Sequence, residues 1–191
     1  QYLYPEVNGG WHQFSPYNEL VKRFECIDGK TIEESPLYDE DNPYDNRDPR
    51  LLYTVMVSGK SSFQGREYNA DPFSDSPDRY GKYSVWSGYC IAKFMDEGFN
   101  GNLMNYGGNF ILIRYPEILL GYLESKLEAG DAIDQTLLDA TINKVRGRQS
   151  VNMPAVTETD ANRLREIIRR ERSVEFAFEG LHYYDILRWG T

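Results

Sequence analysis

Two glutamates on one helix are the residues most suited to chemistry. Glu171 and Glu175 lie one helical turn apart and continue the apolar face begun by Leu164 and Ile168. A pair of carboxylates is the machinery of glycoside hydrolysis, but it must face across a cleft with the scissile bond between the two groups. Two residues stacked on one face of a core helix point the same way. Such carboxylates are costly to bury unless paired. Arg114, Arg146, Arg148, Arg169, Arg170 and Arg172 are at hand. The expected role is therefore structural: Glu171 and Glu175 in helix-to-helix ion pairs, with Arg114, Arg146 and Arg170 as partners. Glu179-Gly180-Leu181-His182 matches Glu-x-x-His, yet a di-iron bundle needs two such motifs and two further glutamates. Gly180 also breaks the helix inside it, and His12 is the other histidine of two. The acidic run Asp39-Glu40-Asp41 with Asp45 and Asp48 suggests calcium. Against that, Pro43 takes a ligand position and the turn glycine of an EF-hand is missing, which favours a solvated turn. Nucleophile elbow, Walker A loop and dinucleotide fingerprint are all missing. The expectation is no catalytic residue, no metal and no cofactor, in a protein that is not an enzyme.

The elements that must hold these residues divide near residue 109. Before it, turn formers recur every ten to fifteen residues: Asn8-Gly9-Gly10, Asp28-Gly29, Asp41-Asn42-Pro43, Asp71-Pro72, Ser76-Pro77 and Gly107-Gly108. Such punctuation predicts loops and short elements. Pro16 to Cys26 suits a short helix, Leu51 to Val57 reads as a strand, and Ile91 to Phe94 as another. After residue 109 the period is helical. Pro116 fits the first helical position. Leu119, Tyr122, Leu123 and Leu127 then form an amphipathic stripe, and Gly130 is a C-terminal stop. A second helix runs from about Asp134 with Leu138, Ile142 and Val145 on one face. A third starts at the Thr159-Asp160 cap and runs to Gly180, lined by Leu164, Ile167 and Ile168. A fourth begins near Leu181 with Tyr184, Leu187 and Trp189. Pro116 to Asp160 is 44 residues, a stretched version of the tetratricopeptide hairpin of about 34. The predicted fold is mainly α: tetratricopeptide-like helical hairpins over 109–191, plus a loop-rich region with short strands over 1–108, together one domain of a longer protein.

Composition narrows the function. With 30 acidic residues against 21 basic and a net charge of −9, the protein's field repels polyanions, so no nucleic acid is expected. No apolar run reaches the roughly 18 residues that span a bilayer. The chain starts at Gln1 rather than Met and stops at Trp189-Gly190-Thr191, and is read as a piece of a longer protein. Cys26 and Cys90 sit among apolar neighbours and are expected as buried thiols, with a single bridge still open. There are 15 Tyr and 3 Trp, clustered in the first half. Each combines an apolar face with a hydrogen-bonding edge, which suits wet interfaces.

The C-terminal half carries a specific likeness. Arg114-Tyr115-Pro116-Glu117-Ile118-Leu119-Leu120 with Glu124 and Glu128-Ala129-Gly130, then Ile142-Asn143-Lys144-Val145-Arg146-Gly147-Arg148, then Ile168-Arg169-Arg170-Glu171-Arg172-Ser173-Val174-Glu175-Phe176 and Tyr183-Tyr184-Asp185-Ile186-Leu187-Arg188-Trp189, resemble the helices of the SusD/RagB family. In the first half, Gly10-Trp11, Glu19-Leu20-Val21, Asp28-Gly29-Lys30, Asn46-Arg47-Asp48-Pro49-Arg50-Leu51, Gly88-Tyr89 and Lys93-Phe94 follow the family's order. Pro116 departs from the usual small residue, and Tyr17-Asn18 stands where Thr is common. The resemblance implies an outer-membrane, cell-surface lipoprotein that binds an oligosaccharide or polysaccharide, or in some members peptides. It would deliver the ligand to a SusC-like TonB-dependent transporter without cleaving it. It also implies that the lipid-bearing cysteine lies upstream of this chain. Aromatic rings cover the flat C–H face of a sugar while Asn, Asp and Arg bond its hydroxyl rim. Trp11, in the Gly-rich loop at 8–13, and Trp86, in the Tyr-rich segment at 80–89, are the leading ligand candidates, with Tyr4, Tyr17 and Tyr83 behind them. The rival classes are a protein-interaction repeat module without an aromatic platform, and a glycoside hydrolase.

Overall fold

The computed structural model describes residues 2–82, 85–109 and 111–190. It folds as two compact units. Unit 1 is Gln1–Val21 with Leu51–Phe110, and unit 2 is Lys22–Arg50 with Ile111–Thr191. The change in sequence character at residue 109 is thus not the only border. The loop segment Lys22–Arg50 groups with the helices.

Unit 2 is built on α3 (Tyr115–Glu128), α4 (Gln135–Ala140), α5 (Ile142–Arg146), α6 (Ala161–Glu175) and α7 (Leu181–Trp189). Local chemistry sets their ends. Pro116 stands in the first turn of α3. Asp134 caps α4 by accepting from Leu137 N at 2.8 Å, and Asp160 caps α6 through Asn162 N and Arg163 N. Gly130 takes the left-handed φ of +78° that ends α3. The core gathers Leu120, Leu123 and Leu127 of α3, Leu138 of α4, Ile142 and Val145 of α5, and Leu164 and Ile168 of α6. Each such side chain contributes about 1.5–3 kcal/mol when fully buried.

Four expectations change here. The buried stripe of α3 is Leu120, Leu123 and Leu127 with Glu124, while Tyr122 is exposed. Of the expected stripe, Leu123 and Leu127 are buried and Leu119 packs partly against the core, while Tyr122 gives way to Leu120 and Glu124. The second helix breaks at Thr141 (φ −120°, ψ −97°) into α4 and α5. The Thr141 hydroxyl donates to Leu137 O at 2.6 Å, a local bond that competes with the helical ladder. Helix α6 ends at Glu175, and Gly180, at φ +81°, starts α7 rather than ending α6. On α7 the buried residue is Asp185, with Tyr184 and Leu187 exposed.

In unit 1 the regular elements are short. Two two-stranded antiparallel sheets occur, β1 (Val55–Met56) with β4 (Cys90–Ile91) and β2 (Ser62–Phe63) with β3 (Arg66–Glu67). The strand expected at Leu51–Val57 is instead helix α2 (Arg50–Thr54) running into β1. Asp48 accepts from Arg50 N at 2.9 Å, so its carboxylate caps the first amide of α2 across Pro49, whose fixed φ leads into the helix. The short helix at Pro16–Cys26 is α1 (Asn18–Arg23). The unit border falls within α1 and α2. The unit 1 core is Tyr4, Met56, Phe63, Tyr68, Ala70 and Cys90.

Cys26 and Cys90 are both free and buried. Among the described residues no helix is long and apolar enough to cross a membrane, and no group of three or more His, Cys, Asp or Glu is placed to hold a metal ion.

Candidate functional site

The carboxylate pair of α6 is the first place to look for chemistry. Glu171 is buried and bonded on both oxygens: Arg50 reaches Oε1 at 2.5 Å and Arg146 reaches Oε2 at 2.9 Å. Glu175 takes Arg114 at 2.8 Å, Arg148 at 2.7 and 2.9 Å, and Arg50 at 3.1 Å. The lattice continues through Glu25, held by Arg146 at 2.7 Å and Arg170 at 2.7 Å, through Asp48 on Arg50 at 2.7 Å, and through Glu179 on Arg114 at 2.7 Å. Five carboxylates therefore meet five guanidiniums. Burial opposes ionisation of Glu175, yet the hydrogen bonds of Arg148 and Arg114, with the charges of Arg148 and Arg50, hold its carboxyl at about 2, down from 4.5. Burial likewise opposes ionisation of Glu171, and Arg50 and Arg146 outweigh it. A general acid must carry a proton near neutral pH. Glu171 and Glu175 are locked as anions and serve as struts.

Of the expected strut residues, Arg114 bonds Glu175 and Arg146 bonds Glu171. Arg170 does not reach either glutamate; its partner is Glu25. Arg50, Asp48 and Glu25 were missed. They lie over a hundred residues from α6 in sequence, and no periodicity links them. A second cluster was missed too. Arg188 holds Glu124 at 2.6 Å and Asp185 at 2.8 Å, Arg172 holds Asp185 at 2.9 Å, and Trp189 Nε1 donates to Glu124 at 2.6 Å. Glu124 was hidden inside what reads as an apolar stripe.

Unit 1 offers something different: large aromatic rings left in solvent. Trp86 is 70% exposed, Trp11 40%, Tyr17 73% and Phe73 96%. Trp11 meets the Tyr2 ring edge-on at 5.0 Å, a geometry that favours aromatic pairs. Phe14 and Tyr80 are exposed as well. Tyr4 is only 3% exposed and packs edge-on against Phe63 at 5.3 Å. It belongs to the core, which corrects its place among the surface candidates: Gly10 behind it has no room for a side chain, since a Cβ there would lie 2.0 Å from Tyr4 O. Tyr83 lies outside the described residues. Tyr2, Phe14 and Phe73 are additions that the aromatic count alone did not single out.

One buried node joins segments that carry several of these rings. His12 and Asp78 are both fully buried. His12 Nε2 donates to Tyr89 O at 2.8 Å, and Nδ1 lies 3.2 Å from Asp78 Oδ1. Asp78 also accepts from Glu6 N at 2.7 Å and Val7 N at 2.9 Å. Three segments are thereby tied together: that of Trp11, that of Phe73 to Tyr80, and that of Trp86 to Tyr89. His12 adopts a left-handed φ of +43°, a conformation that costs a non-glycine residue about 1–2 kcal/mol and persists only where surroundings enforce it. The strain sits next to Trp11. The arrangement can present flat apolar faces beside polar backbone, which suits binding rather than bond cleavage.

The comparisons with known proteins agree on one family. The model of the SusD family matches residues 2–191. A solved SusD-like carbohydrate-binding protein from Bacteroides fragilis is 40% identical with a TM-score of 0.90, over 100% of this chain and 38% of its own. A second SusD-like protein from the same species is 32% identical with a TM-score of 0.74, over 95% of this chain and 37% of its own. A SusD superfamily protein from Bacteroides vulgatus, 21% identical with a TM-score of 0.62 over 95% of this chain and 34% of its own, shares the fold. No curated protein gives a significant match. The chain spans less than two fifths of the length of the first two solved structures it matches. Its helical scaffold is theirs, and the chain belongs to the SusD family.

Proposed function

We propose that this chain is part of a cell-surface protein that binds glycans without cleaving them and passes them to a SusC-like TonB-dependent transporter in the outer membrane, where a lipid anchor upstream of this chain would hold it. The observation that carries the binding step is the set of solvent-facing rings on unit 1, with Trp11 and Trp86 foremost, on segments joined by the His12–Asp78 node. The B. fragilis relative described as carbohydrate-binding supports the ligand class. A pyranose ring lays its C–H face on an indole and leaves its hydroxyls to water and backbone. The commitment of Glu171 and Glu175 to arginines supports a non-enzymatic role.

The test is calorimetric titration of the full-length protein with a panel of soluble polysaccharides. Wild type should bind at least one of them, and Trp11→Ala or Trp86→Ala should weaken binding tenfold or more, equivalent to about 1.4 kcal/mol, with unchanged circular dichroism. Binding unaffected in both variants would remove the aromatic platform. No glycan binding together with peptide binding would favour the peptide-uptake form of the family. Release of reducing ends would revive the hydrolase.

A further inference from the structure

Unit 2 contains a pocket whose chemistry differs from that of the exposed rings on unit 1. It has a volume of about 310 Å³ and is bounded by α1, α6 and α7, with Arg23, Arg169, Arg170 and His182 on its walls and Ile186 and Trp189 as its apolar floor. The arginines of the strut lattice each meet a carboxylate. Arg169 feels the charge of Glu128 but is hydrogen-bonded to no carboxylate among the described residues: its guanidinium rests on the Trp189 indole, 5.0 Å from the ring centroid, and its Nε is buried with no hydrogen-bond acceptor. Nδ1 of His182 is likewise buried with no partner. Arg23 is solvent-exposed and has no carboxylate partner among the described residues. Arg170 is held by Glu25. The opposing charge on the pocket wall is Glu166.

Buried polar atoms without partners are uncommon in folded proteins, and each calls for an explanation. Here the two residues that carry them, Arg169 and His182, line one cavity with Arg23. We propose that this pocket is an oxyanion site that takes a carboxylate, donated to by Arg169, Arg23 and His182. A planar carboxylate matches the guanidinium fork, which offers two parallel N–H groups. Glu166 on the wall and the net charge of −9 disfavour a dianion such as phosphate or a polyanion. The volume suits one small acid or one sugar acid at the end of a longer chain.

His182 makes the site responsive to pH. Burial and then Arg23 hold its ring below the ordinary histidine range, while Asp185 pulls the other way. The charged groups around it are Arg23 on α1, Glu166, Arg169 and Arg170 on α6, and Asp185 on its own helix. Asp185 is already engaged by Arg172 and Arg188. An incoming carboxylate offsets Arg23 and favours the imidazolium, so binding takes up a proton and tightens as pH falls toward the lowered range of the free ring.

The probe is glucuronate, read by NMR of the imidazole signals of the full-length protein, with glucose and sulfate as controls. His182→Gln assigns the His182 signals. Saturable shifts of the His182 ring with glucuronate and none with glucose are expected. Affinity should fall about tenfold or more in Arg169→Gln, the loss of a charge-assisted bidentate contact. A smaller loss is expected in Arg23→Ala, whose exposed position leaves the fold untouched. A glucuronate-terminated oligosaccharide distinguishes the free acid from the glycan-borne one: tighter binding than glucuronate assigns the site to glycans, and equal or weaker binding assigns it to small acids. No saturable shift with glucuronate, equal shifts with sulfate or glucose, or wild-type affinity in both variants would overturn the proposal. Polysaccharide binding through Trp11 and Trp86 is read separately, so failure here leaves that reading intact.

Discussion

In unit 2 the strongest chemical groups are inside. Glu25, Glu171 and Glu175 are buried among arginines, and both glutamates of α6 are fixed as anions. In unit 1 the candidate ligand-contacting groups face outward, as bare aromatic rings on loops, and a buried polar node, His12 with Asp78, joins segments that carry them. The difference shows where each kind of polar contact is useful. A lattice of charge pairs contributes geometry: each arginine can reach its carboxylates in few ways, so the helices are fixed in register. It contributes less net stability than its bond count suggests, because desolvation offsets much of the attraction. A binding surface needs the reverse, apolar faces kept open to water and held in place from beneath.

The largest effect should come from breaking the lattice. Glu171→Ala leaves Arg50 and Arg146 buried and uncompensated, and should cost about 3–5 kcal/mol in urea unfolding. A loss under about 1 kcal/mol would mean that water enters and solvates the arginines, and the contrast between the units would fail. The second effect is acid sensitivity. Glu175 has its folded value near 2 against an ordinary 4.5. A depressed carboxylate stabilises the fold above its unfolded value, and that contribution is lost as pH falls from about 4.5 toward 2. The gap corresponds to on the order of 3 kcal/mol. Glu175→Gln should flatten stability against pH in that window while lowering it at pH 7. An unchanged slope would place the acid sensitivity elsewhere. The node of unit 1 ranks third. Asp78→Ala strands the Glu6 and Val7 amides and the His12 ring, and should cost about 2 kcal/mol. It should also shift tryptophan emission, because His12 adjoins Trp11. A change in stability with no change in emission would separate the node from the platform.

How far the sequence carried each region follows the same contrast. Helices α3 and α6 were legible because Pro116, Gly130 and Asp160 punctuate a 3.6-residue period, and because local geometry sets their caps. Glu171 and Glu175 were legible as paired because a carboxylate on an apolar face must have a partner. Which partner was not legible: Arg50 is 121 residues from Glu171 and Glu25 is 145 from Arg170, and only the fold brings them together. Thr141, which splits one expected helix, acts through a side-chain bond that periodicity ignores. In unit 1 the turn residues announced loops but not their course. Trp11, Trp86 and Tyr17 proved exposed and Tyr4 buried, and nothing in the local sequence separates them. The Asp48-Pro49 cap of α2 was readable, but the β-branched and aromatic run after it masked the signal.

The smallest stability effect is the one that isolates binding from folding. Trp86 is 70% and Phe73 96% exposed, so their removal deletes little buried area. Trp86→Ala and Phe73→Ala should each change unfolding free energy by no more than about 0.5 kcal/mol. Trp11 is less exposed and meets Tyr2 edge-on, so Trp11→Ala should cost somewhat more, about 0.5–1.5 kcal/mol. None of the three substitutions removes a group of the His12–Asp78 node. If Trp86→Ala instead costs as much as Asp78→Ala, Trp86 is supporting the fold, and its exposure is no argument for a ligand. If it costs nothing in urea yet weakens glycan binding tenfold, its apolar face is kept in water by selection for binding, since folding gains nothing from it. That pairing of a null result in unfolding with a large one in binding is the sharpest form of the contrast, because no residue of the unit 2 lattice can produce it.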